Sequence, residues 1–242
     1  MHHGRRTKAS LYDARRLLEQ SLAIDQGYAR AVAMLSWNHF KAYIEPFDGD
    51  YCSPAALDRA LELAERAVHL DTGLPQAHAQ LGQVLLFKRW YDTAIAEFKR
   101  AFALNPNYID FRFAQVLIHA GEAARGMEVL EAYIRLDPLL PSMFSFVGNM
   151  GMANYMLKRY EDAVRLYCEC ASRIPNLQWP HLFWPPPVRS RDDLRRPEKR
   201  PRRCCGSTPV SRLRLETYFT CKDPKDGENM LDGQRKAGLR ET

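Results

Sequence analysis

The chain has 242 residues, 46% of them apolar and 26% charged, with a formal net charge of +6 and a mean hydropathy of −0.43. This is the composition of a chain able to bury a core, and it excludes collagen-like and wholly unfolded classes. No apolar run approaches the roughly 18 residues of a membrane helix, and the opening MHHGRRTKAS lacks the apolar block of a secretion signal, so a cytoplasmic location is expected.

The charge is unevenly placed. Residues 185–214 carry ten Lys or Arg against three Asp or Glu and six of the fifteen prolines, which leaves the rest close to neutral. Six cysteines (Cys52, Cys168, Cys170, Cys204, Cys205, Cys221) are too sparse for a disulfide scaffold and lack the C-x-x-C spacing of a zinc site, so reduced thiols are expected.

In chain order, residues 1–10 show no periodicity and are expected to be disordered. The first periodic segment, Leu11 to Ile24, is a lone helix. Between Trp37 and Ala60 about twelve extra residues, with turn signals at Phe47-Asp48-Gly49-Asp50 and Ser53-Pro54, predict an excursion between two helices. Residues 75–106 read most clearly, as two amphipathic helices. Leu81, Val84 and Leu85 form one stripe; Ala94, Ile95, Phe98, Ala101 and Phe102 form the next. Lys88 to Asp92 make the turn, and Asn105-Pro106 ends the second helix because proline cannot continue it.

The pattern recurs at roughly the 34-residue period of a helical repeat. The small residue opening each second helix is Ala14, Ala60, Ala94, Gly126 and Ala163. Four and seven residues on stand Leu18 and Ser21, Ala64 and Ala67, Phe98 and Ala101, Leu130 and Tyr133, Tyr167 and Cys170. Terminators follow at Gln26, Thr72, Pro106, Pro138 and Pro175. Small residues allow close helix approach, and one such pair buries its apolar face only when a neighbour stacks on it.

Leu81-Gly82, Ala94, Phe98, Ala101 and Pro106 resemble the tetratricopeptide repeat, whose first helix carries a Leu-Gly pair and whose second carries spaced small residues before a closing proline. The other copies are looser, with Ser36, Ala114 and Gly151 near the glycine position. The resemblance covers residues 11 to 183 and implies an all-α, right-handed α-solenoid of about four helix pairs. At a finer level, residues 22–37, 64–82 and 223–239 resemble the repeat region that follows the catalytic part of bacterial class III adenylate or guanylate cyclase-like proteins. That resemblance implies a sensory or protein-binding arm of a signalling protein.

A further first helix begins at Gln178 to Phe183 and stops at Trp184 and three prolines. The Pro/Arg-rich tract 184–214 is expected to be disordered. It reads as a linker, as a basic nucleic-acid-binding tract, or as the product of compensating frame changes in the coding DNA. Residues 215–242 form a tail with a short polar helix over Asp223 to Ala237.

No phosphate-cradling loop, zinc-protease helix or nucleophile elbow is present, so no catalytic residue, cofactor or metal ion is expected. A cyclase activity inherited with the finer resemblance is the enzyme alternative, but no residue set here would bind a nucleotide and two metal ions. His78 and His119 read as groove or surface histidines. The tetratricopeptide resemblance places helix A on the concave side, and hence Arg30, Trp37, Lys41, Gln80, Gln83, Phe87, Phe111, Arg112, Gln115, His119, Asn149, Met152 and Tyr155 on or near a groove for a peptide or protein partner. Amides would pair with a peptide backbone and aromatics would cover its side chains. The Lys and Asn that clamp a chaperone tail's carboxylate are absent, since Ala33 and Trp37, or Ala79 and Gln83, occupy those positions.

Overall fold

The computed structural model describes residues 7–45, 49–136 and 143–173, and among them it contains nine α-helices and no strand. These are α1 (Lys8–Ile24), α2 (Ala29–Ile44), α3 (Pro54–Leu70), α4 (Pro75–Phe87), α5 (Tyr91–Leu104), α6 (Arg112–His119), α7 (Ala123–Leu136), α8 (Met143–Met156) and α9 (Tyr160–Arg173). The fold is all-α: α1 is followed by four helix hairpins, α2–α3, α4–α5, α6–α7 and α8–α9. Two compact units divide after Val116, within α6. The tract 184–214, the tail, the further helix expected at Gln178 and residues 1–6 lie outside the described residues, whereas Thr7 caps α1 and residues 8–10 belong to its first turn.

One device makes the turn inside three of the four hairpins. Arg89, Gly121 and Lys158 each adopt a positive φ, at 63°, 90° and 61°. The next residue's N–H then bonds back to the carbonyl five residues earlier: Trp90 to Leu85 at 3.0 Å, Glu122 to Leu117 at 2.8 Å, Arg159 to Asn154 at 2.8 Å. This left-handed closure satisfies carbonyls orphaned at the helix end.

A second device joins the early hairpins. Asp25, Asp71 and Asn105 each cap a helix, and their side-chain oxygens accept from the backbone N–H two residues on, Gly27 at 2.8 Å, Gly73 at 2.9 Å and Asn107 at 3.0 Å. Helices α1, α3 and α5 therefore stop just before the terminators Gln26, Thr72 and Pro106, because the Asx turn takes over the backbone first.

In the first unit Ala60, Ala64, Ala67, Ala94, Phe98 and Ala101 are fully buried. Gly82 shows why small residues recur: a Cβ there would lie 2.7 Å from the Phe98 ring and 3.0 Å from the Ala94 carbonyl. In the second unit Leu117, Ile118, Leu130, Ala153 and Ala163 are fully buried, and Tyr133 packs on Phe146 with ring centroids 4.9 Å apart.

Ala14 is exposed, because among the described residues no helix covers that side of α1. The extra length after Trp37 is shared between helix and connection: α2 and α3 have 16 and 17 residues against 13 and 14 in α4 and α5, and residues 45–53 join them where residues 88–90 join α4 to α5. Pro54 starts α3 where its missing N–H costs nothing. Phe111 lies in a turn before α6, not on it. Asp110 causes this by accepting from the Arg112 N–H at 3.0 Å, which begins the helix late.

Candidate functional site

The expected groove residues divide between the two units. Arg30, Trp37, Lys41, Gln80, Gln83, Phe87, Arg112 and Gln115 belong to the first; His119, Asn149, Met152 and Tyr155 belong to the second. In the second unit His119 and Met152 are buried, Asn149 is half-buried, and Tyr155 stands edge-on to Tyr160 at 5.5 Å.

The first unit joins most of its eight into a wall, while Arg30 stands exposed on α2. Gln80 and Gln83 are each only 3% exposed. Gln80 Nε2 donates to Ser36 Oγ at 3.1 Å, and Ser36 Oγ donates to the Ala60 carbonyl at 2.7 Å. Arg112 Nη1 donates to Gln80 Oε1 at 2.9 Å, and Gln83 Nε2 donates to Gln115 Oε1 at 3.2 Å. Equivalent side chains on successive first helices thus tie α2 to α4 and α4 to α6. The expectation that these amides are open to a ligand backbone is corrected: close stacking buries both, with Gln80 bonded at its nitrogen and its oxygen, while Gln83 is bonded through Nε2 and its buried Oε1 has no hydrogen-bond partner among the described residues.

Arg112 sits at the end of this line. Its Nε and Nη2 donate to Asp110 Oδ1 and Oδ2 at 2.9 and 2.6 Å, and Asp110 also accepts from Tyr108 Oη at 2.9 Å. Burial alone would lower the Arg112 pKa, but the carboxylate outweighs it and the shift is upward, so the guanidinium stays charged. Burial, then the Asp110 charge, raise the Tyr108 hydroxyl above the usual phenol range and keep its proton in place to donate.

Aromatic groups complete the face. The Trp37 ring has the Arg112 guanidinium 5.3 Å and the Lys41 ammonium 5.6 Å from its centroid. Lys41 Nζ pairs with Glu45 at 2.7 Å. Phe87 packs edge-on against Phe40 at 4.8 Å and Tyr43 at 6.2 Å, which makes it part of the core as well as a wall. Burial pushes the Tyr43 hydroxyl up to about 12. Arg30, Met34, Trp37 and Lys41 form an i, i+4, i+7, i+11 stripe along α2, in which Arg30 and Met34 are exposed and Trp37 and Lys41 half-buried.

His78 is neither a groove nor a surface residue. It is 6% exposed, with Nδ1 2.7 Å from Glu97 Oε2 and Nε2 3.1 Å from the Thr72 carbonyl, and so links α4 to α5 and to the turn before it. Sequence reasoning missed Asp110, Ser36 as a bonding partner, and Met34. For Asp110 a signal was present in the D-x-R spacing at a helix start.

Residues 75–108 match a family model described as tetratricopeptide repeat. This segment takes in α4, α5, the Gly82 contact and the Asn105 turn. Over 85 residues the chain is 38% identical to putative adenylate cyclase 3 of Rhizobium meliloti (strain 1021), a match spanning 35% of this chain and 14% of that protein. Among solved structures, MamA protein is similar at a TM-score of 0.45, with 21% identity over 69% of this chain and 84% of its own. YrrB, described as a TPR protein with an unusual peptide-binding site, is similar at a TM-score of 0.44, with 18% identity over 72% of this chain and 82% of its own.

Proposed function

We propose that this chain is a non-catalytic protein-interaction module whose first unit presents the inner face of α2, α4 and the start of α6 to a peptide or partner protein. The observation that carries the reading is the lateral bonding of Ser36, Gln80, Arg112, Gln83 and Gln115. A face held in one geometry before a ligand arrives loses little ordering entropy on binding. The groups left for a ligand are the Arg30 charge, the Met34 and Trp37 surfaces and the rim of Phe87, which suit an apolar side chain beside an acidic one. The tetratricopeptide-repeat match at 75–108 supports a binding role, and the repeat domain is assigned to residues 11–183.

Peptides selected from a random display library on the full chain test this. Binding should fall in the Arg30→Glu and Trp37→Ala variants and persist in Arg100→Glu, on an exposed site of α5. Peptides insensitive to both inner-face changes would reject the reading. The 38% identity to a putative adenylate cyclase over 85 residues favours a finer reading, in which the module is the repeat arm of a bacterial signalling protein and works in the cytoplasm. Co-purification of the chain with a cyclase or other signalling enzyme tests that placement.

A further inference from the structure

We draw no further inference here: the strongest candidate, the inner stripe of α4 on which the buried Oε1 atoms of Gln76 and Gln83 have no hydrogen-bond partner among the described residues, belongs to the wall already described, and nothing in the structure shows what donor would meet those oxygens.

Discussion

Gly82 on α4 faces Phe98 on α5 so closely that a Cβ at residue 82 would sit 2.7 Å from Cδ2 of the ring. Phe98 is fully buried and packed on Phe102 and Phe113, so the ring has no room to withdraw. Gly82→Ala should therefore destabilise the protein by roughly 1–3 kcal/mol, even though alanine favours the helix by about 1 kcal/mol. Urea denaturation measures the change. The double variant Gly82→Ala with Phe98→Leu should recover part of the alanine penalty relative to the two single changes.

Ala101 is fully buried one helical turn beyond Phe98. Ala101→Phe would overpack the α5 interface and should lower the melting temperature by an amount equivalent to roughly 1–3 kcal/mol. An unchanged melting temperature would place Ala101 outside the packed register.

Arg112 is held in the wall rather than offered to a ligand. Replacing Arg112 and Gln115 by Ala would test binding cleanly only if stability were unaffected, and the geometry argues otherwise. Arg112→Ala leaves the Asp110 carboxylate, with a side chain only 8% exposed, without its cation. A loss on the order of 3–5 kcal/mol follows when one member of a buried pair is removed. Pairing Arg112→Met with Asp110→Asn should cost less than the sum of the two single changes, which a double-mutant cycle measures.

How far the fold could be read from sequence depended on what each signal encoded. Ala60, Ala94, Ala101 and the Leu81-Gly82 pair announced the hairpins, because close helix packing restricts residue size and restriction is visible in one-letter code. Ala14 has the same size yet lies exposed, since periodicity reports which face is built for contact and not whether a neighbour occupies it. Apart from Phe111, which lies before α6, the expected inner-face side chains lie on helices, but Gln80 and Gln83, read as ligand groups, are buried. An amide has the same letter whether it bonds to Ser36 and Arg112 or to a partner, and only three-dimensional neighbours distinguish the two. His78 was misread for the same reason: Glu97 is remote in sequence and 2.7 Å away in space.

Arg89 and Lys158 adopt the left-handed backbone that Gly121 adopts in the equivalent turn. A side chain makes that conformation costly, by about 1 kcal/mol or more, and glycine relieves it. Arg89→Gly and Lys158→Gly should each raise stability by roughly 0.5–1 kcal/mol, read as a shift of the urea midpoint without a change in slope. Gly121→Ala should shift it the other way.

Acid should weaken the first unit through His39. This residue lies on α2 between Arg15 of α1 and Arg59 of α3, with Asp50 opposing them, and burial followed by the two arginines lowers its pKa from 6.5 to about 4. In the unfolded chain the ring would titrate near 6.5. Above that value neither state holds the proton, and His39 contributes no pH dependence. Between pH 6.5 and about 4 the unfolded state binds a proton that the folded state refuses, so stability falls as pH falls across that window. The side chain is half-buried and screened by solvent, so about 1 kcal/mol is expected at pH 5 rather than the full value of the shift. His39→Gln keeps a polar group of similar reach and removes the titration. The drop in melting temperature between pH 7.5 and pH 5 should therefore be smaller in His39→Gln than in the unaltered chain, and equal drops would mean that His39 is free to protonate in the folded protein.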